Sequence, residues 1–135
     1  MKPIRDIVRG QEIVTVDQLT TVAEAARIMA GRQIGAVPVT DGSGVVGIFT
    51  ERDALNRILA AGVDPDRTSI RDVMTTALVI ADLGEGCDAC LDRMREAHVR
   101  HLIVLDGDRM AGIVSMRDLM AVDLDDKVAT ITLLN

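Results

Sequence analysis

Aromatic residues are nearly missing from this chain of 135 residues, which has no Trp, no Tyr and a single Phe, Phe49. Stacking bases on aromatic rings, the usual way to hold single-stranded nucleic acid, is therefore excluded. Basic charge is also scarce, with 15 Lys and Arg against 21 Asp and Glu for a net charge of −6, which argues against DNA or RNA as a partner. Two cysteines are too few for a disulfide framework, so a reducing cytoplasm is the expected compartment. No run approaches the ~20 apolar residues of a membrane span, and the start, Met1-Lys2-Pro3-Ile4-Arg5-Asp6, has no secretory apolar region. Gly-x-Ser-x-Gly, Walker, His-Glu-x-x-His and dinucleotide-binding motifs are all missing, so no enzyme chemistry is expected.

What is present is a mixture of 48% apolar and 27% charged residues, the composition of a globular chain about one domain long. The acidity is uneven. Residues 1–69 carry 8 basic and 9 acidic side chains, net −1, whereas residues 70–135 carry 7 and 12, net −5.

The chain repeats itself. Ile4-Arg5-Asp6-Ile7-Val8 recurs as Ile70-Arg71-Asp72-Val73-Met74, 66 positions on. At a spacing of 65, Val37-Pro38-Val39-Thr40-Asp41-Gly42 pairs with Leu102-Ile103-Val104-Leu105-Asp106-Gly107, and Gly47–Asp53 pairs with Gly112–Asp118. One residue gained near Arg9–Glu12 accounts for the change of spacing. The expected division is residues 1–67, the first repeat with its connector, and 68–135, the second with a C-terminal tail.

Each repeat reads as strand, helix, strand, strand, helix. Ile13–Val16 and Leu78–Ala81 are short apolar runs suited to buried strands. Thr21-x-x-Glu24 is a capping box opening a helix with Val22, Ala25, Ala26 and Met29 on its buried stripe; Cys87, Cys90, Leu91 and Met94 form the matching stripe. Hairpins are expected from Ala36–Thr40 with Val45–Phe49, and from His101–Leu105 with Met110–Val114, because Asp-Gly between apolar runs favours a tight reversal. A second helix follows each hairpin, beginning near Thr50 or Ser115, the first stopping at Gly62. Pro38 is read as a strand-edge feature. Two small three-stranded sheets, each with one apolar face left bare by its helices, predict an α+β fold of two pseudosymmetric repeats packed through their sheets, with clefts between them.

The chemically informative piece is Gly-x-x-(Thr/Ser)-x-Arg-Asp, at Gly47–Asp53 and Gly112–Asp118. It falls where a strand ends and a helix begins, so amides and a hydroxyl, Thr50 or Ser115, face an anion there. Asp53 or Asp118 lies three residues on, and a carboxylate accepts both hydroxyls of a ribose. Arg52 and Arg117 would neutralise phosphate. The same residues also make a plain capping box, so a purely structural role stays open.

Taken together, Asp72-Val73-Met74-Thr75, Gly35–Val39, Gly47–Asp53 and Gly112–Asp118 resemble the motifs of paired cystathionine-β-synthase (CBS) domains, the regulatory pairs called Bateman modules. The resemblance runs from Ile4 to about Met120 and is strongest with small stand-alone bacterial pairs. It implies a non-catalytic module that binds AMP, ADP, ATP or S-adenosylmethionine in clefts between the repeats and signals to a regulated protein. By that likeness Asp53 and Asp118 hold ribose, and Thr50 and Ser115 contact ribose or phosphate. Arg100 and His101 contact phosphate in the cleft owned by Asp118, where Gly35 and Ala36 stand in the other. The base lies against Ile13, Val14 and Ile34 in one cleft, and against Val79 and Val99 in the other. The Asp118 cleft is expected to be the better site. No metal or resident cofactor is implied.

Two rival readings stand beside this one. Cys87-x-x-Cys90 with His98 and His101 is a zinc-compatible set, and Cys-x-x-Cys is also a redox spacing. Against both, the cysteines replace Val22 and Ala25 of the buried stripe, where free Cys acts as a small hydrophobe. The other rival is an interaction module with empty clefts. Apolar positions at Ala54, Leu55, Ile58, Leu59, Leu119 and Met120 suggest a homodimer, with the apolar tail Val128–Leu134 as a further contact.

Overall fold

The structure, a computed structural model, describes residues 2–134. In chain order its elements are α1 (Arg5–Val8), β1 (Val16–Asp17), α2 (Val22–Arg32), β2 (Ala36–Thr40), β3 (Val45–Thr50) and α3 (Glu51–Asp53). The helix continues as a π-wound stretch, Ala54–Leu59, and a 3-10 turn follows at Ile70–Asp72. Then come β4 (Ile80–Asp82), α4 (Cys87–Ala97), β5 (His101–Asp106), β6 (Arg109–Ser115) and α5 (Met116–Leu134). The α+β class and the strand, helix, strand, strand, helix order are as read from the repeat. Among the described residues no helix is long and apolar enough to cross a membrane.

One sheet has the order β1-β2-β3 and the other β4-β5-β6, each with a parallel first pair and an antiparallel second. The hairpins form where the Asp-Gly signals put them, and each has a register shift at the same place, Val39/Thr40 and Val104/Leu105. Asp41 ties the first loop by accepting from the Ser43 and Gly44 amides.

The leading strands are shorter than expected. Of Ile13–Val16 only Val16 is paired, whereas β4 begins at Ile80. Pro38 accounts for the difference between the two. It lies in β2, the central strand and not an edge, facing Ile48. Its counterpart Ile103 donates its amide to the Val79 carbonyl at 3.0 Å; proline has no amide to give, so pairing with the first strand starts one residue later.

The compact units are offset from the sequence repeats. One comprises Val14–Leu78; the other joins the residues up to Ile13 with those from Val79 onward. Each unit is thus completed by the leading segment of the other repeat, because those segments are anchored there. Ile70 and Arg71 donate their amides to the Thr20 and Gln18 carbonyls at 2.8 and 3.0 Å. Ile4 and Arg5 do the same to Glu85 and Leu83, at 2.7 and 3.2 Å. Ile4 and Ile70 are fully buried in these docked positions, each burial worth roughly 1.5–3 kcal/mol.

The first unit's core gathers Val22, Ala25, Met29, Val37, Val39, Phe49, Ile58 and Ile70. The second gathers Ile4, Val8, Cys87, Cys90, Leu91, Met94, Leu102, Val104, Val114 and Leu119. Ala26, expected on the buried stripe of α2, is exposed; the inward face is narrower, with half-buried Ile28 packed against the core instead. Thr21 caps α2 by accepting from the Glu24 amide at 3.2 Å, while the Glu24 carboxylate turns to Arg27. Gly62, at φ +70°, closes the helix that begins at Glu51. The apolar tail is the continuation of α5.

Candidate functional site

The two strand-to-helix junctions share one local geometry. At the first, Asp53 donates its amide to Thr50 Oγ1 at 3.2 Å, and Thr50 donates its amide to Asp53 Oδ2 at 3.0 Å. At the second, Asp118 N and Ser115 Oγ are 3.1 Å apart, as are Ser115 N and Asp118 Oδ2. Both are capping boxes, which satisfy two otherwise unpaired amides. The first helical amide is also used at each junction: Glu51 donates to Gly35 O at 3.0 Å and Met116 to Arg100 O at 2.7 Å. Gly35 and Arg100, the residues just before β2 and β5, are thereby held against the helix starts.

Beyond the caps the junctions diverge. Asp53 is buried, 7% exposed, the one charged residue among the buried side chains described. Thr75 donates its hydroxyl to Asp53 Oδ1 at 3.0 Å and lies 3.2 Å from Oδ2. Arg57 Nε stands 3.8 Å from Oδ1, and its Nη1 donates to the Val73 and Met74 carbonyls at 3.0 and 2.9 Å. Asp118, by contrast, is exposed. The place of Thr75 is taken in the second unit by Gln11, whose side-chain amide is engaged on Ile113 and not on Asp118.

Around Asp118 the structure brings together several of the expected residues. His101 is the register partner of Ser115 across β5 and β6, Arg100 is exposed beside it, and Arg117 is exposed on the first turn of α5. Val79 and Val99 are half-buried and rest against the second core. In the first unit Thr50 and Gly35 are half-buried, Arg52 is exposed, and Val14 and Ile34 pack on the first core. Ile13, expected beside Val14 and Ile34, belongs by packing to the second unit and is 45% exposed.

Thr75, Arg57 and Gln11 were not singled out as site residues from the sequence. Arg57 had a legible signal, since it lies four residues after Asp53 on a helix, within reach of an acidic partner. Thr75 stood in the sequence only as the end of the Asp72–Thr75 motif and Gln11 in no motif, and neither contact is local, since they span 22 and 102 residues.

Cys87 and Cys90 are free and buried in the second core. Burial raises both thiol pKa values, that of Cys90 to about 11, the reverse of what a reactive or metal-binding thiolate requires. Among the described residues no three His, Cys, Asp or Glu side chains converge on a metal-sized position. His98 is instead the exposed left-handed residue that ends α4.

The family model for the CBS domain matches residues 4–60 and again 70–125. The chain belongs to the CBS domain family. It is 30% identical over 135 residues to the CBS domain-containing protein YhcV of Bacillus subtilis, covering 100% of this chain and 95% of YhcV. A solved protein with CBS domains from Burkholderia ambifaria superposes with a TM-score of 0.87 at 30% identity, covering 93% of this chain and 96% of that one. A CBS domain pair solved with 5'-methylthioadenosine and S-adenosyl-L-methionine has a TM-score of 0.81 at 23% identity, covering 93% and 98%, a likeness of fold. CBS pairs also occur inside longer chains. The chain spans only 36% of the length of arabinose 5-phosphate isomerase KdsD of Escherichia coli, at 31% identity over 87% of this chain.

Proposed function

We propose that this CBS pair is a non-catalytic regulatory module that binds an adenosine-containing ligand (AMP, ADP, ATP or S-adenosylmethionine) with Asp118 on the ribose. The observation that carries this reading is the difference between the two acidic groups. Asp118 is exposed beside Ser115, Arg100, His101 and Arg117, while Asp53 is buried under Thr75 and Arg57. A solvated carboxylate can accept a sugar diol, and the neighbouring cations oppose phosphate charge. The CBS pair solved with two adenosine compounds supports the ligand class. Binding favours one conformation of the pair, which a regulated protein then reads. The cytoplasm is the compartment that fits two unpaired thiols.

Calorimetric titration of AMP, ATP and S-adenosylmethionine into wild type, Asp118→Ala and Asp53→Ala tests the assignment. Asp118→Ala should abolish most binding and Asp53→Ala should weaken it little. Equal binding by all three chains defeats it. At 100 times its dissociation constant a ligand should add about 2.7 kcal/mol of stability, visible as a thermal shift.

Self-association is part of the same reading. Met120, Leu124, Val128 and Ile131 are all more than half exposed along α5, and their spacing of four, four and three places them on one helical face. A second copy is the proposed cover. Equilibrium sedimentation giving a monomer at micromolar concentration overturns the homodimer.

A further inference from the structure

We infer that Thr75 is an internal stand-in for a ligand hydroxyl, closing the Asp53 copy of the site so that the pair takes one adenosine compound, at Asp118. The inference rests on the adenosine reading above and adds the residue that sets its stoichiometry.

A carboxylate offers about four lone-pair positions. At Asp53 the Thr50 amide takes one on Oδ2, and the Thr75 hydroxyl reaches both oxygens at 3.0 and 3.2 Å. The Arg57 guanidinium lies 3.8 Å from Oδ1. The Thr75 hydroxyl thus occupies both oxygens that a sugar diol would use, and the group is only 7% exposed. The backbone that carries Thr75 is held in place. Its amide and carbonyl are both bonded to Ile48, at 2.9 Å each, and Arg57 binds the two preceding carbonyls. A diol arriving at Asp53 must therefore displace the Thr75 hydroxyl from the carboxylate.

The repeat provides an internal comparison. Ile113, the counterpart of Ile48, is held in the same two-bond manner by the Gln11 side chain. The brace is kept in both units, but only the first carries a hydroxyl with it. Among the described residues Asp118 has no counterpart of the Thr75 hydroxyl: its hydroxyl contact is the Ser115 cap, and it is exposed. A duplicated motif has thus become one closed copy and one open copy through a residue outside the motif.

Because the brace uses backbone atoms, replacing the Thr75 side chain leaves it in place. Calorimetric titration with AMP, ATP and S-adenosylmethionine should give one equivalent for wild type and for Thr75→Ser, which keeps the hydroxyl. Thr75→Val and Thr75→Ala should give two, and adding Asp53→Ala to either should return one. Melting followed by circular dichroism confirms which of the two variants is folded for the titration. If wild type binds nothing while a folded Thr75→Val or Thr75→Ala chain binds one equivalent, the Asp118 assignment falls and the role of Thr75 stands. If folded Thr75→Val and Thr75→Ala bind no more than wild type, Thr75 does not close the site. Wild type that already fills Asp53, seen as binding retained in Asp118→Ala and lost on adding Asp53→Ala, overturns it equally.

Discussion

Gln11 holds Ile113 with its side chain as Thr75 holds Ile48 with its backbone. Gln11 Nε2 donates to the Ile113 carbonyl and Gln11 Oε1 accepts the Ile113 amide, both at 2.9 Å. Both backbone groups of Ile113 are satisfied by this one side-chain amide. Gln11→Ala should therefore leave two part-buried backbone groups of β6 unpaired and cost about 1–3 kcal/mol. Gln11→Glu should cost more at neutral pH, since a carboxylate has no proton for the Ile113 carbonyl. Urea denaturation of the three chains measures both, and a Gln11→Ala midpoint equal to wild type removes the brace.

Gly112 and Gly47 are the repeat's matched glycines, and both sit under these braces. A Cβ on Gly112 would lie 2.5 Å from Gln11 Oε1 and 2.8 and 2.9 Å from Cγ1 and Cβ of Val8. On Gly47 it would meet Met74 Sδ at 2.4 Å and the Thr75 carbonyl oxygen at 3.0 Å. Valine is stiff, whereas methionine has other rotamers to adopt. Gly112→Ala should accordingly destabilise by about 1–3 kcal/mol and Gly47→Ala by less. Thermal melts giving the opposite order contradict this.

The two thiols should be silent in the folded protein. Burial is the first cause of the raised pKa at Cys87 and Cys90, so thiolate is scarce at neutral pH. Alkylation at pH 7 should be slow in the native chain and at least about tenfold faster in denaturant. The pH dependence follows in sign. The unfolded chain ionises near the ordinary value of 9 while Cys90 in the fold waits until about 11. Stability is thus full below pH 9 and declines as pH rises toward 11. Fast, stoichiometric labelling of native protein contradicts the buried placement.

Arg93 and Glu85 make the acid-sensitive contact of the second unit. Arg93 Nη1 donates to the Ile80 carbonyl at 2.7 Å and to Glu85 Oε2 at 3.0 Å, and Nη2 bonds Glu85 Oε1. The Arg93 hydrogen bond holds the Glu85 carboxyl below its usual 4.5. Its contribution is present above that pH and is lost as pH falls through the lower folded value. Both side chains are about one-third exposed, so the pair is worth about 1 kcal/mol or less. Glu85→Gln should flatten the fall in melting temperature between pH 5 and pH 3; an unchanged slope counts against the pair.

The repeat, the order of elements and the two hairpins are legible in the chain's local pattern alone. Periodicity and Asp-Gly turns act over neighbouring residues, so the buried cysteine stripe and both Thr/Ser-to-Asp caps could be read in advance. The same locality explains what was missed. Pro38 faces Ile48 in a central strand and shortens the pairing of β1, which needs the neighbouring strands to be known. The leading segments fold onto the unit of the other repeat, because Ile4 and Ile70 find their pockets and carbonyl partners there. Two identical-looking motifs also end in different states. Asp53 is buried beneath a hydroxyl brought from 22 residues away, and Asp118 stands in solvent. Spacing sets which groups a local turn can join; only the packed chain sets which of them water still reaches.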